Sequence, residues 1–216
     1  MTERSLADLR TDYAQHTLDE AMTGDDPLRF FAQWFDQACE CKVNEPNAMT
    51  LATIDPDGSP SARIVLLKAI DARGLTFFTN RQSRKGRALA HDPRASLVFF
   101  WPELERQVRI AGLTEWVEDF DSDSYFATRP RESQLGAWAS MQSSVATSRE
   151  HLDASMHEVT ARFDGQIVPR PPHWGGYRLS PTAFEFWQGR RSRMHDRVHF
   201  ARALGETDWR KERLFP

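Results

Sequence analysis

A series of strand patterns between residues 48 and 117 constrains the fold of this chain more than any other feature. Ala48–Ile54 and Ser61–Ile70 are rich in β-branched and apolar residues. The Asp55-Pro56-Asp57-Gly58 segment between them predicts a turn, because proline presets φ and glycine permits a positive φ. Further strand patterns follow at Leu75–Thr79, Ala95–Trp101 and Arg106–Val117. Because only one short helical pattern, Arg84–Ala90, interrupts these runs, we expect consecutive antiparallel strands of a barrel.

Helical patterns precede and follow these strands. Residues 27–42 begin with an Asp26-Pro27 helix start and repeat apolar residues at helical spacing. A second helix is expected from Asp119 as far as Arg129, where Pro130 ends it. A third begins at Thr147, which forms a capping-box pattern with Glu150. Four late strand patterns complete the chain, at Trp174–Leu179, Ala183–Gln188, Arg197–Arg202 and Trp209–Leu214.

The predicted class is therefore α+β and mainly β: an antiparallel β-barrel built from an early and a late group of strands, with flanking helices. The chain of 216 residues is long enough to bury a full core, and its 40% hydrophobic and 27% charged residues are ordinary for a globular protein. We expect a single domain over 25–216. Residues 1–24 show weak periodicity and are predicted to be a mobile or loosely docked leader.

Composition and charge exclude several classes of protein. No run reaches the ~18–20 apolar residues of a membrane span, and the first five residues lack the features of a secretory signal, so we expect a cytoplasmic location. Cys39 and Cys41 are too close for an easy disulfide and lack a second ligand pair for zinc. We expect both to be packing thiols in a reducing compartment, with no metal. The net charge of −3 gives no electrostatic case for a nucleic-acid partner.

The charge is nevertheless uneven along the chain. Residues 1–26 hold two arginines against seven acidic residues, whereas residues 189–216 hold eight basic residues against four acidic ones. The basic tail is compatible with a solvated surface or with a site for a small anion.

The segment Thr79–Gly86 concentrates groups that bind phosphate. It leaves a strand and opens a helix, and it offers the hydroxyls of Thr79 and Ser83 and the cations of Arg84 and Lys85. A basic, solvated helix start is the alternative.

Two nearby strands carry further polar candidates. Arg63 and Lys68 flank an apolar run, and strict alternation places them on opposite faces, so a shared site requires a bulge or a strong twist. Gln107 could pair with the imide edge of a heterocycle, although a solvent-facing glutamine is the commoner explanation. Rim charges at the strand ends remain the alternative for Arg63 and Lys68.

Tyr125, Arg129 and Ser133 follow at spacings of four. On a helix that continues to Arg129, Tyr125 and Arg129 share a face, and Ser133 could reach them from beyond the proline turn. This pattern fits a second anion site or a plain helix C-terminus. His195 and Asp196 resemble a catalytic dyad, but neighbours on a strand point to opposite faces, so we do not expect Asp196 to orient His195. A serine hydrolase is disfavoured because no Gly-x-Ser-x-Gly elbow is present.

Taken together, these segments resemble the pyridoxamine (pyridoxine) 5′-phosphate oxidase family from end to end. The resemblance rests on segments that occur in the family's order: Arg63–Lys68, Phe78–Lys85, Leu104–Val108, Tyr125–Trp138, Gln142–Ser144, Phe186–Gly189 and Arg193–Arg197. It implies a homodimeric, FMN-binding split barrel with two flavins at the subunit interface. Phe78 stands where a tyrosine is common in the family.

The resemblance also implies residue roles. The expected FMN-binding residues are Arg63, Ile64, Val65, Leu66, Leu67, Lys68, Phe78, Thr79, Arg84, Lys85, Gln107, Gln142, Ser143, Trp187 and Arg197. The expected substrate-binding residues are Arg10, Tyr13, Lys68, Tyr125, Arg129, Ser133, Arg193, Met194 and His195. Arg193 and His195 would face the pyridine ring as catalytic groups, and residues 10–13 would act as a lid.

The implied reaction oxidises pyridoxamine 5′-phosphate or pyridoxine 5′-phosphate to pyridoxal 5′-phosphate, with dioxygen as the acceptor and hydrogen peroxide as a product. Two alternatives come from other classes. The first is a non-catalytic split-barrel protein that binds flavin or pyridoxal phosphate. The second is a flavin reductase that uses a nicotinamide cofactor.

Overall fold

A computed structural model describes residues 13–216, and the chain divides into two compact units. Of the described residues, unit 1 comprises 13–46, Val98–Ile110 and Thr182–Pro216. Unit 2 comprises Asn47–Leu97 and Ala111–Pro181. No helix in residues 13–216 is long and apolar enough to cross a membrane.

The described residues form nine strands and five α-helices. The strands are β1 (Ala48–Ile54), β2 (Pro60–Leu66), β3 (Ala69–Asp71), β4 (Gly74–Asn80), β5 (Arg94–Trp101), β6 (Arg106–Trp116), β7 (Trp174–Gln188), β8 (Asp196–Ala201) and β9 (Arg210–Arg213). The helices are α1 (Pro27–Glu40), α2 (Arg84–His91), α3 (Asp119–Thr128), α4 (Arg131–Ala139) and α5 (Arg149–Arg162).

Hydrogen bonds join the strands in the order β2-β1-β5-β6-β7-β4-β3, and β8 then pairs with β7 and β9 with β8. The hairpin of β1 and β2 is antiparallel, as the turn sequence predicts. The predicted strand over 61–70 was too long. Its backbone changes partner, because the N–H of Leu67 donates to the carbonyl of Asn47, whereas the N–H of Lys68 donates to the carbonyl of Thr76. Lys68 thus leaves the alternation that begins at Arg63.

The two predicted strands over 174–188 are one strand, β7. Residues 174–179 pair with β4, and residues 183–188 pair with β8. The predicted break at residues 180–182 is the place where β7 changes partner.

Helix ends explain the other differences from prediction. Helix α1 begins as expected, with the Asp26 carboxylate accepting from the N–H groups of Leu28 and Arg29. Helix α3 stops at Thr128, so the expected continuation to Arg129 was wrong. The capping box was also wrong, because Ser148 rather than Thr147 caps α5. Helix α4 was not predicted; it starts directly after Pro130.

Each unit has its own aromatic core. In unit 1 the apolar face of α1 buries Phe30 and Phe31, and these rings contact Phe186 and Phe99 at centroid distances of 4.8 and 4.9 Å. In unit 2 the buried cluster consists of Phe126, Leu135, Phe163, Val168 and Trp174. Cys39 and Cys41 are both free and exposed, so their expected role as packing thiols was wrong.

The described part of the leader, residues 13–24, is held by hydrogen bonds within unit 1. The N–H groups of Ala14 and Gln15 donate to Oε2 of Glu105 at 2.9 and 3.1 Å. The N–H of Leu18 donates to Oδ2 of Asp196 at 3.1 Å, and the Leu18 side chain is buried. Arg10 and the start of the expected lid lie outside the described residues.

A close backbone approach in unit 2 generates a stability prediction. A Cβ atom at Gly112 would lie 2.1 Å from the carbonyl oxygen of Ser180, and a backbone atom cannot rotate away. We expect Gly112→Ala to destabilise the protein by about 1–3 kcal/mol, the usual cost of overpacking. For a chain of this size, that cost corresponds to a melting temperature lower by about 2–10 °C, measured by circular dichroism.

The matched control is Gly136→Ala, because a Cβ at this position in α4 meets no atom within 4 Å. Alanine favours a helix over glycine by about 0.5–1 kcal/mol, so this variant should melt at the same temperature or higher. Equal melting temperatures for the two variants would contradict the close approach at Gly112.

Candidate functional site

A pocket of about 520 Å³ lies in unit 2 and is lined by residues near the C-terminal ends of β2, β4 and α3. Its lining combines predicted site residues with several others: Ile64, Val65, Leu66, Lys68, Phe78, Thr79, Lys85, Tyr125, Thr128, Arg129, Pro130, Ser133, Gln142 and Trp174. Three of these residues are cations and none is acidic. We call this cavity the cationic pocket.

Lys85 reaches the cationic pocket from the first turn of α2. Its Nζ donates to Oε1 of Gln142 at 2.7 Å and to Oγ1 of Thr79 at 3.3 Å. Burial lowers the pKa of Lys85 below its usual range, and the positive charge of Arg63 lowers it further. The ammonium thus has neutral oxygen partners and a positive neighbour, so an anion in the pocket would stabilise it.

Arg63 and Arg84 flank Lys85 with different partners. Arg63 donates to Oγ1 of Thr53 at 2.7 Å and to Oγ of Ser61 at 2.5 Å. Burial lowers the pKa of Arg63, which donates no hydrogen bond to a carboxylate in the described part of the chain. Arg84 instead forms a salt bridge of 2.6 Å with Asp55, while 65% of its own side chain remains exposed.

The start of α2 corrects one expectation and supports another. Ser83 was expected to offer its hydroxyl to an anion, but it is fully buried as the helix cap. Its Oγ donates to the carbonyl of Asn80 and accepts from the N–H of Gly86. By contrast, Gln142 and Ser143 meet the helix start, since Oγ of Ser143 accepts from the N–H of Arg84 at 3.1 Å.

Arg129 enters the cationic pocket from an extended backbone rather than from a helix. It follows α3 with φ −71° and ψ 148°. Its Nη1 atom is buried and has no hydrogen-bond partner in the part of the chain that the structure describes, and burial lowers the pKa of the guanidinium. A buried donor without a partner costs about 1–3 kcal/mol, so an anion that accepts from Nη1 would remove this cost.

Three other predicted site residues form a cluster in unit 1. The rings of Trp187 and His195 lie 4.6 Å apart, and Tyr13 packs edge-on against both, at 5.7 Å from Trp187 and 5.9 Å from His195. We call Tyr13, Trp187 and His195 the aromatic cluster. Met194 is 64% exposed beside it.

The hydrogen bonding of His195 fixes its protonation. The N–H of Arg190 donates to Nδ1 of His195 at 3.1 Å, so Nδ1 is the acceptor and Nε2 carries the proton of the neutral ring. Burial lowers the pKa of His195, the charge of Arg193 lowers it further, and Asp196 opposes both. Asp196 bonds to Leu18 and Arg213 instead, in line with the expectation that it does not orient His195.

Arg193 and Arg197 are placed differently in unit 1. Arg193 has a φ of 59° and follows Ser192 at 57°, a conformation that costs energy for residues other than glycine. Arg197 is anchored: it donates to Oε1 of Glu185 at 3.0 Å and to the carbonyl of Phe215 at 2.7 Å. Gln107 is half-buried on β6.

Sequence reasoning missed Trp174 in the cationic pocket. Its ring stacks on Phe78 at 5.3 Å and lies nearly parallel to Tyr125 at 6.1 Å. The only signal was its place as the first residue of a strand after a proline cluster, which points to packing rather than to a site. Thr128 and Pro130 were missed because the end of α3 was misplaced.

Comparisons with known proteins show the family of this chain. The family model described as "Pyridoxamine 5'-phosphate oxidase" matches residues 35–163, and that described as "Pyridoxine 5'-phosphate oxidase C-terminal dimerisation region" matches residues 174–216. A pyridoxine/pyridoxamine 5′-phosphate oxidase of Cyanothece sp. is 56% identical over 98% of this chain and 99% of its own length. One from Cupriavidus necator is 57% identical with the same coverage.

Solved structures confirm the predicted split-barrel fold. The structure of PhzG from Burkholderia lata 383, in complex with tetrahydrophenazine-1-carboxylic acid, has a TM-score of 0.85 and 34% identity over 93% of this chain and 98% of its own. An FMN-binding protein of Nostoc punctiforme, related to pyridoxamine 5′-phosphate oxidase, has a TM-score of 0.69 at 16% identity, over 88% of this chain and 98% of its own, and supports the fold alone. The matched models and the full-length relatives show that the chain belongs to the pyridoxine/pyridoxamine 5′-phosphate oxidase family.

Proposed function

We propose that this protein oxidises pyridoxine 5′-phosphate and pyridoxamine 5′-phosphate to pyridoxal 5′-phosphate with dioxygen, and that the cationic pocket binds both the substrate and FMN. The observation that carries the assignment is a pocket lined by Lys68, Lys85 and Arg129, with no acidic residue among the described lining residues. Substrate and cofactor each bring a phosphate, and the pocket offers two separate groups of donors.

The residues present fit the phosphate of FMN at the start of α2. Lys85 lacks an anionic partner among the described residues, and its pKa is lowered by burial. Thr79 accepts a hydrogen bond from Lys85, Ser143 accepts one from the N–H of Arg84, and the charge of Arg63 acts on Lys85. We assign the cofactor phosphate to this group, with residues 64–68 and the backbone of Phe78 beside the flavin. Gln142 belongs to the same wall of the pocket.

The second group of donors suits the phosphate of the substrate. Lys68, Tyr125, Arg129 and Ser133 line the cationic pocket together, and Arg129 carries the donor without a partner. These four side chains bind the phosphate and thereby fix where the substrate's 4′ carbon lies. Holding a substrate in one orientation removes entropy from the barrier, which is the main task of the protein in a cofactor-dependent oxidation.

Bound FMN supplies a two-electron acceptor for the 4′ carbon and, in turn, the electrons that reduce dioxygen to hydrogen peroxide. With pyridoxine 5′-phosphate the products are the aldehyde and hydrogen peroxide. With pyridoxamine 5′-phosphate, one water is consumed and ammonia is also released.

Arg193, together with His195 of the aromatic cluster, completes the proposed site. The chain forms a homodimer, and the matched dimerisation region includes both residues. We infer that this cluster in one protomer faces the cationic pocket of its partner. His195 is held as a neutral ring that can donate from Nε2, and Arg193 presents a permanent positive charge. Both orient the pyridine ring, and Gln107, Trp187 and Arg197 contact the flavin from the same side.

The proposed lid and location follow from fewer observations. Tyr13 packs on Trp187 and His195, which supports a role for the leader in covering the substrate. We propose a single functional domain over 25–216. The free cysteines Cys39 and Cys41 suit a reducing compartment, and we assign the protein to the cytoplasm.

A direct assay tests the proposed function. The purified protein should show the visible spectrum of bound FMN. Added pyridoxamine 5′-phosphate or pyridoxine 5′-phosphate should give aldehyde and hydrogen peroxide in equal amounts in air. A yellow protein inert with both substrates would instead indicate a flavin-binding protein. Anaerobic bleaching of the flavin by NADPH, without substrate oxidation, would indicate a flavin reductase.

Lys85→Ala tests the assignment of the cofactor phosphate. Loss of one charged contact should cost about 1.5–3 kcal/mol, so the dissociation constant of FMN should rise about ten- to a hundredfold. Fluorescence titration of the apoprotein with FMN measures it. Arg87→Ala is the matched control, because Arg87 lies on the same helix outside the pocket lining. Unchanged FMN affinity in Lys85→Ala would overturn the assignment.

Arg193→Ala tests the role of the aromatic cluster side of the site. The variant should retain FMN at the wild-type ratio but turn over at least about tenfold more slowly, since a charged contact to the substrate is lost. Steady-state kinetics and flavin absorbance provide the two readings. Arg210→Ala, which removes an exposed arginine of β9, should change neither. Parallel loss of flavin and turnover in Arg193→Ala would contradict the separation of roles.

A further inference from the structure

We propose that Trp174 is a positioning residue that holds the Arg129 guanidinium for the phosphate of the substrate, and so sets the preference for phosphorylated over unphosphorylated pyridines. This inference rests on the proposed function, because it assumes that Arg129 binds the substrate phosphate.

Arg129 needs an unusual form of support. Among residues 13–216, its buried Nη1 atom has no hydrogen-bond partner, and no carboxylate lines the cationic pocket. Its backbone is extended and is followed by Pro130, so the backbone at this point is restrained. The side chain itself must be fixed by another contact, because a free arginine would lose rotamer entropy on binding each substrate molecule.

The face of Trp174 provides that contact. The guanidinium carbon of Arg129 lies 4.6 Å from the centroid of the Trp174 ring and 5.5 Å from that of Phe126. Both distances are within the range of a cation–π interaction, and tryptophan is the best aromatic partner for a guanidinium. Because Trp174 is only 7% exposed, the attraction is weakly screened by water.

Trp174 is itself held in place from several sides. Its backbone N–H donates to the carbonyl of Pro171 at 3.0 Å, and its backbone carbonyl accepts from Nη1 of Arg170 at 2.7 Å. Its ring stacks on Phe78 with an interplanar angle of 13° and meets the edge of Phe126 at 5.1 Å. The ring is therefore a rigid platform for Arg129.

An aromatic platform differs from a carboxylate in one useful respect. A carboxylate would accept hydrogen bonds from Arg129 and cancel its charge, so a phosphate would have to displace it. The ring of Trp174 accepts no strong hydrogen bond and leaves the N–H donors of the guanidinium available. The pocket thus keeps an oriented cation ready for an anion, and a ligand without phosphate gains nothing from it.

Trp174→Leu and Trp174→Phe in the FMN-loaded dimer test the inference. The probes are 4-deoxypyridoxine 5′-phosphate, which has no 4′ oxygen to be oxidised, and unphosphorylated 4-deoxypyridoxine. Isothermal titration calorimetry gives both dissociation constants. We expect Trp174→Leu to raise the dissociation constant of the phosphorylated probe about 5- to 30-fold, because a desolvated cation–π contact contributes a factor of this size. The dissociation constant of the unphosphorylated probe should change by less than about twofold. Trp174→Phe should lie between Trp174→Leu and the wild type.

A matched control separates this role from general loss of packing. The guanidinium carbon of Arg162 lies 4.9 Å from the centroid of the Trp138 ring, and Trp138 is not among the described residues that line the cationic pocket. Trp138→Leu should therefore leave the ratio of the affinities for the two probes unchanged. If Trp174→Leu fails to fold, Trp174→Phe, which keeps a ring against Phe78, decides the question.

Arg129→Met distinguishes failure of the inference from failure of the proposed function. The affinity ratio is the affinity for the phosphorylated probe divided by the affinity for the unphosphorylated one. If Arg129→Met leaves the affinity ratio unchanged, the proposed phosphate anchor is wrong and the inference falls with it. Suppose that Arg129→Met lowers this ratio, but both Trp174 variants either weaken binding of the two probes equally or leave the binding of both unchanged. The positioning role of Trp174 is then overturned. A lower ratio in Arg129→Met and in both Trp174 variants supports the inference.

Discussion

The proposed function rests on positive charge that is buried in the cationic pocket without negative charge beside it among the described residues. Lys85 and Arg129 lie partly buried in a pocket to which residues 13–216 contribute no acidic side chain, and burial lowers the pKa of both. Such an arrangement costs free energy in the protein alone, and a bound anion recovers that free energy. A pocket of this kind favours phosphorylated ligands because its buried positive charge destabilises the protein when no anion is bound.

Local backbone geometry makes the pocket possible. Lys68 does not follow the strand alternation of β2, because the backbone changes its hydrogen-bond partner after Leu67. Arg129 follows the end of α3 in an extended conformation. The Gln142–Ser143 loop is tied to the start of α2 through Lys85 and Arg84. Each of these features occurs at the end of a strand or helix, where side chains can converge without disturbing hydrogen bonding in the elements themselves.

The sequence predicted the regular elements well, because period and turn chemistry are local properties. The helix after Asp26 and the hairpin around Asp55-Pro56-Asp57-Gly58 are examples. Two errors have a common cause: Ser148 caps α5 and Arg129 lies beyond the end of α3, and each outcome depends on where a helix begins or ends within one residue. The helix start at Arg84 was predicted correctly, but the hydroxyl of Ser83 caps that helix and is not free for an anion. Trp174 was missed because its role depends on contacts with Arg129 and Phe78, which are far away in the sequence.

The candidate site residues came mainly from the resemblance to a family, and the structure adds the physical reason for the grouping in unit 2. The most direct test of the central claim is the affinity of the apoprotein for FMN compared with riboflavin, which differs only by the phosphate. We expect FMN to bind at least about tenfold more tightly than riboflavin. The difference between the two affinities should become smaller at higher salt concentration, because salt screens the cations. Equal affinities at low salt would contradict it.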